Sequence, residues 1–287
     1  MSLFKKILVP VDFSSQSAAV IRYAFSWASA DNGSIEVLYV NELTSLPFGS
    51  SSYPFGVVTF PELENEINDW AKEEYAKLLS GFTKEEVNRL TLKIMNGKSA
   101  DTITSHAAEN KFDVIIMATH SHNVVEKFFL GSTMERVIRI AQTPVVVLRD
   151  PATTPPFPPK RVLATTDFSK ESLYIFEPVL SLCEKVKAPV TLLAVDSLEA
   201  SYLGEFNPDD KKIIDAGFKE SGVEAEWVKI RSTDAVEGIL DYIQSTKPGL
   251  VAMTTHGRSG LSKILLGSTT ESIIRQIHIP VLVVRSK

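Results

Sequence analysis

The sequence predicts two tandem doubly wound α/β domains, each built on a five-stranded parallel sheet. Three observations predict this: an internal repeat through the chain, short apolar runs rich in β-branched residues, and helical periodicity between those runs. The repeat comes first. KKILVPVDFS at 5–14 returns as KRVLATTDFS at 160–169, and FDVIIMATHSHNVVEKFFLGSTMERVIRIAQTPVVVLR, ending at Arg149, returns as PGLVAMTTHGRSGLSKILLGSTTESIIRQIHIPVLVVR, ending at Arg285. Self-similarity on this scale means a duplicated structural unit. The 287 residues suit two domains of ordinary size.

Asp12 pairs with Asp167 and Val40 with Val195 at one constant offset, while His120 pairs with His256 and Gly131 with Gly267 at a smaller one. The first copy therefore carries an insertion of about 19 residues between its second and third strands, roughly LTSLPFGSSSYPFGVVTFP, in a fold class whose connections are usually a few residues long. The division predicted is a first domain over 1–149, a linker over 150–159 and a second domain over 160–287. DPATTPPFPP reads as a semi-rigid linker because its prolines favour extended backbone without a hydrogen-bond ladder.

Taken in order, the strand candidates of the first copy are KILVPV, IEVLYV, TLKIM, DVIIMA and PVVVLR. Those of the second are RVLATT, VTLLAV, AEWVKI, LVAMTT and PVLVVR. Apolar runs of this length suit parallel strands covered on both faces. Between them SAAVIRYAFSWAS, ELENEINDWAKEEYAKLLSGF, SADTITSHAAEN and STMERVIRIA repeat their apolar residues near every 3.6 positions and read as helices. Alternating strand and helix gives the doubly wound sheet, whose ligands sit at the carboxyl ends of strands beside the topological switch point.

Composition narrows the function classes. The net charge of −5 comes from interspersed acids and bases, which disfavours nucleic acid and anionic membrane as partners. The apolar start ILVPVDF is too short and too interrupted for a signal-peptide core, and no run approaches a membrane span. The single cysteine, Cys183, excludes an intrachain disulfide and fits a reducing cytoplasm. There is no Walker loop, no GxGxxG after the first strand, no GxSxG elbow and no HExxH, so no nucleophile or base stands out.

Three loops of the second copy could carry ligand chemistry. Ala164, Thr165, Thr166 and Asp167 end its first strand, Val195 ends its second, and TTHGRSGLSKILLGSTTES follows its fourth. In the last, Gly257 and Gly260 permit close backbone approach and Arg258 offers a phosphate partner. Gly267, Ser268, Thr269 and Thr270 then open a helix, whose N-terminal N–H groups favour an anion. Purely structural readings compete. Ser268 followed by Glu271 has the spacing of a capping box, and Asp167 with Ser169, like Asp12 in the first copy, could simply cap the next helix. His256 and His120 lack a second ligand at metal spacing and read as structural; His122 beside His120 is only a weak metal signal.

These residues resemble the universal stress protein family in its tandem form, over nearly the full chain. The resemblance rests on ILVPVDFS, VLATTDFS, MATHSHNVVEKFFLGST and MTTHGRSGLSKILLGST. It implies an adenine nucleotide alpha hydrolase-like fold and binding of ATP or another adenine nucleotide, with Mg²⁺ as an accompanying ion. In nucleotide-binding members the last loop reads GxxG, nine residues, then G[ST]. Here Thr254 replaces the first glycine, while Gly257, the spacer, Gly267 and Ser268 match. Carried over by position, Asp167 and the Val195 main chain would hold base and ribose. Gly257, Arg258, Gly267, Ser268, Thr269 and Thr270 would surround the phosphates, with His256 on the same loop. A side chain at Thr254 would crowd the ribose, either weakening binding or selecting a smaller nucleotide such as AMP.

In the first copy Ala118 and Ser121 replace both glycines, which predicts weak or no nucleotide binding there, although Asp12, Val40, Gly131 and Ser132 remain. Its insertion carries Phe48, Tyr53, Phe55 and Phe60, expected to pack against the other domain, with a position over the site as the alternative. The resemblance also implies that PVVVLR and PVLVVR pair with each other, making the chain its own pseudo-dimer and removing two apolar edges; association of two chains stays open. The function expected is a non-catalytic nucleotide-binding stress-response regulator. Slow Mg²⁺-dependent ATP hydrolysis and a nucleotide-free scaffold are the alternatives.

Overall fold

The computed structural model describes residues 3–42, 60–119, 130–197, 207–255 and 267–286, the side chains of 60–62 excepted. The first half runs β1 (Lys6–Val11), α1 (Ser17–Ala28), β2 (Ser34–Asn41), α2 (Phe60–Leu79), α3 (Lys84–Val87), β3 (Leu90–Asn96), α4 (Ser99–Glu109), β4 (Val114–Ala118), α5 (Ser132–Ile140) and β5 (Val145–Leu148). The second half runs β6 (Val162–Thr166), a 3-10 turn (Glu171–Ile175), α6 (Phe176–Val186), β7 (Val190–Ser197), α7 (Pro208–Glu220), β8 (Ala225–Ser232), α8 (Ala235–Thr246), β9 (Leu250–Thr254), α9 (Ser268–Gln276) and β10 (Val281–Val284). The apolar runs and helical patterns fall on these elements. The helix α3, closed by a Thr83–Glu86 capping box, was not legible as periodicity because it is a single turn.

Among the described residues ten strands form one sheet in the order β3-β2-β1-β4-β5-β10-β9-β6-β7-β8. Within each half the neighbours are parallel, and the halves meet through the antiparallel pair β5–β10, registered Val147↔Val281, Val146↔Leu282 and Val145↔Val283. Val146 and Leu282 occupy the same place in the two repeats and face one another, so the pairing is isologous about that point.

Two apolar layers cover the sheet. One joins α1 (Val20, Ile21, Trp27) and α6 (Val179, Leu182, Cys183); the other joins α4 and α5 (Ile103, Val137, Ile138) with α8 and α9 (Ile239, Ile273, Ile274). Each layer draws on both halves, so the core is continuous across the joint. The outermost strands differ from the expectation of two covered faces. Thr91 and Lys93 on β3, and Glu226, Lys229 and Arg231 on β8, are exposed, and charge on an edge strand discourages edge-to-edge pairing.

The proline-rich segment does not run free. The Phe157 ring stacks on Trp27 at 4.7 Å between centroids and also meets Phe4 and Tyr23, which fastens the linker to the first half. Two polar contacts cross the joint as well: Lys185 Nζ to Asp31 Oδ1 at 2.6 Å, and Arg285 Nη1 donating to the Ile140 carbonyl at 2.9 Å. Cys183 is buried, and burial pushes its thiol up to about 12, so it behaves as a packing residue.

Candidate functional site: two strand-end crevices

The sheet order sets where ligands can enter. In each half the first strand lies between the second and the fourth, and connections leave it in opposite directions. At that switch point the strands part. β1 stays paired with β2 along Lys6–Val11 but with β4 only at Ile7 and Leu8. In the second half β6 stays paired with β7 as far as Thr166 but with β9 only through Ala164. Ala164 answers to Val9 in the repeat, so the first crevice opens one residue earlier than the second.

The first crevice holds a cavity of about 340 Å³, at the lower end of the roughly 300–1,000 Å³ of small-molecule sites. It is lined by the strand ends (Val11, Asp12, Val40, Ala118), the starts of α1 and α4 (Ser17, Ser99) and the start of α5 (Gly131, Ser132, Thr133). Ala118 stands where the second copy has Thr254, so this wall is the smaller one. Gly131 has φ +78°, and a Cβ there would point into open space, which leaves its backbone accessible from the cavity. Tyr39 also borders the cavity and packs with Phe13 at 5.3 Å and with Trp70 at 5.6 Å; Trp70 is 43% exposed. Partial burial, with Asp12 nearby, raises the Tyr39 phenol above its ordinary pKa. The pairing of Gly131 and Ser132 at a helix start was the sequence signal for this crevice. Tyr39, Ser99 and Leu130 carried none.

Both copies build the same turn after the first strand. Asp12 Oδ1 accepts the Ser14 N–H at 3.0 Å and Asp167 Oδ1 accepts the Ser169 N–H at 3.0 Å, with Phe13 and Phe168 between them at φ 58° and 61°. In the second copy the Ser169 hydroxyl also donates to Asp167, and the Ser172 N–H donates to Ser169 Oγ at 3.2 Å. Ordering the start of the next segment is thus a visible task of Asp167, the structural reading that competed with ribose binding.

The other second-copy residues divide by access. Ala164, Thr165, Thr166, Val195 and Thr254 are buried. Thr166 Oγ1 is bonded to Ser172 and to the Phe168 N–H, and Val195 packs into the α8–α9 layer, so its side chain faces core. Asp167, Gly267 and Thr269 are half-buried and Ser268 is exposed. The capping-box reading is corrected. Gly267, not Ser268, is the N-cap of α9, no side chain among the described residues caps the helix, and Glu271 instead pairs with Arg275 at 2.5 Å. The reason is one of register: Ser268 sits in the first turn itself, so its side chain lies past the capping position. Two expected phosphate donors are engaged within the chain. The Gly267 N–H donates to the Thr255 carbonyl at 2.7 Å and the Thr270 hydroxyl to the Thr254 carbonyl at 2.8 Å. The start of α9 therefore offers Ser268 and Thr269. His256, Gly257, Gly260 and Arg258, like His120, Ser121, His122, Phe48, Tyr53 and Phe55, lie outside the described residues, as does the Phe60 side chain. Among the described residues no cluster of three or more His, Cys, Asp or Glu could hold a metal, and no helix is long and apolar enough to cross a membrane.

Comparison with known proteins follows the same division into halves. The sequence profile of the universal stress protein family matches residues 3–149 and again 158–285. Among curated proteins, universal stress protein Slr1230 of Synechocystis is 27% identical over 98% of this chain and 100% of its own length. A solved universal stress protein from Archaeoglobus fulgidus superposes with a TM-score of 0.74 at 20% identity, covering 98% of each chain. A further solved structure is of a universal stress protein in complex with cAMP, matching 45% of this chain and 98% of its own at 18% identity with a TM-score of 0.36.

Proposed function

The chain belongs to the universal stress protein family, and on that premise we propose that it is a non-catalytic adenine-nucleotide-binding protein whose nucleotide occupies the second crevice. The observation that carries this is the start of α9: a helix N-terminus at the strand-end crevice, without a side-chain cap among the described residues, with Ser268 exposed and Thr269 half-buried beside it. Uncapped first-turn N–H groups and the positive end of the helix dipole favour an anion such as phosphate. The sequence adds Gly257 and Arg258 on the preceding loop, spaced from Gly267 as in nucleotide-binding family members. Occupancy of this crevice would bias how the protein associates with partners in a stress response. Isothermal titration with ATP, ADP and AMP tests the reading. Binding of one nucleotide that is lost in Ser268→Trp is expected; no binding of any of the three, with none released on denaturation, overturns it.

A further inference from the structure

Trp70 is a tryptophan that the fold leaves in water. It stands 43% exposed on α2, beside rather than within the described walls of the first cavity. Two rings hold it: Phe13 in a T-shaped contact at 5.7 Å and Tyr39 at 5.6 Å. Phe13 is itself fixed in the Asp12 turn and Tyr39 in β2, so the indole is presented in one orientation. A large aromatic side chain held this way loses little freedom when a partner covers it.

The same helix carries most of the chain's excess charge. α2 holds six acids and two lysines, a net of −4 in a protein of net −5. Lys72 and Lys77 are taken up within the helix by Asp69 at 2.9 Å and Glu74 at 2.6 Å. Glu66 and Glu73, four residues before Trp70 and three after it, lie on its side of the helix and are exposed. Asp12 adds to the field: after burial, its charge is the second cause that raises the Tyr39 phenol. Residues 43–59, which join β2 to α2, contain no Lys, Arg or His and so bring no cation to this face. A ring beside carboxylates attracts a cation through its quadrupole and through their charge. The second copy shows such an arrangement filled from within the chain. On α7, Lys211 Nζ lies 5.1 Å from the centre of the Trp227 ring and pairs with Asp215 at 2.6 Å, while Trp227 Nε1 donates to the same carboxylate at 2.7 Å. The charge of α2 repels nucleic acid and anionic membrane, which leaves a basic protein segment as the occupant that fits.

We propose that the Trp70 face of α2 is a docking surface for an arginine-bearing basic segment of a partner protein, with a guanidinium stacked on the indole and paired to Glu66 or Glu73. The two carboxylates stand about 10 Å apart along the helix, so a second basic residue of the partner reaches the other one. Arginine suits the face better than lysine because its flat, weakly hydrated head stacks on an open ring. The probes are a blocked dodecapeptide repeating Gly-Ser-Arg and its Gly-Ser-Lys counterpart, titrated into the full chain and followed by calorimetry and tryptophan fluorescence. The arginine peptide is expected to bind about threefold more tightly than the lysine peptide, and Trp70→Ala to erase that preference. Glu66→Gln combined with Glu73→Gln is expected to weaken both peptides about fivefold. Those two positions are exposed, so the double variant keeps the test open even if Trp70→Ala fails to fold. The proposal is overturned if the two peptides bind the wild-type chain equally, if Trp70→Ala keeps the preference, or if the double variant binds both peptides as the wild type does. Sedimentation supplies one more outcome against it: a dimer lost in Trp70→Ala would assign the face to a second copy of this chain. None of these readouts depends on a nucleotide in the second crevice.

Discussion

The two crevices descend from one repeat, share an Asp-Phe-Ser turn and end on a Gly-Ser helix start, yet they are finished differently. In the first, the central strands part after Leu8, Ala118 leaves a low wall and Gly131 lies in the left-handed region. In the second, pairing persists through Ala164, Thr254 is the bulkier counterpart and Gly267 has an ordinary φ of −59°. The difference shows how little a shared motif fixes. GS at a helix start recurs in both copies, but the backbone conformation behind it, and hence which donors face a ligand, does not.

The halves can also be compared as stability units. If they share one core across β5–β10, damage on one side of the joint weakens both. Leu282, fully buried opposite Val146, is the place to test this. Leu282→Ala is expected to lower stability by about 3 kcal/mol. Urea unfolding followed by proteolysis of each half should report the loss in both; a loss confined to the second half would break the comparison.

A smaller effect distinguishes the crevices themselves. At Gly131 any side chain must adopt positive φ, so Gly131→Ala should cost about 1 kcal/mol. At Gly267 the φ is one that alanine adopts freely, so Gly267→Ala should stay within roughly 0.5 kcal/mol of wild type. Equal costs in thermal unfolding would show that the two helix starts are conformationally alike after all.

The smallest expected effect concerns the exposed contact between halves. The hydrogen bond from Lys185 lowers the Asp31 pKa, so its contribution is present above the unfolded carboxylate pKa and is lost as pH falls through the lower folded value. Asp31→Asn should therefore reduce the melting temperature slightly at neutral pH, and the gap to wild type should close in acid. A gap that persists at low pH would point to packing rather than charge.

Much of the fold was legible because its signals are local and repeated. VIIMA and VVVL can only be satisfied by cover on both faces, and STMERVIRI presents one apolar stripe, so strand and helix follow from short windows. The candidate site was legible by place but not by state. Asp167 and Ser268 could be located at the crevice from their positions after a strand and before a helix. That Asp167 is engaged by Ser169, that the Gly267 N–H is turned to Thr255, and that Gly267 rather than Ser268 takes the capping position all depend on backbone torsions that the residue types leave open.

The sequence by itself determined the duplication, the alternation of strand and helix, and the loops where ligands could enter, because each is written in periodicity or in a repeated motif. The tertiary structure decided the rest. Only it fused two sheets into one through Val146 and Leu282, laid Phe157 on Trp27, and brought Glu42 to Ser99 beside a cavity in the copy with the poorer motif. Each of these joins residues far apart along the chain, and how they meet is set by the packing of whole elements, which no short window of sequence contains.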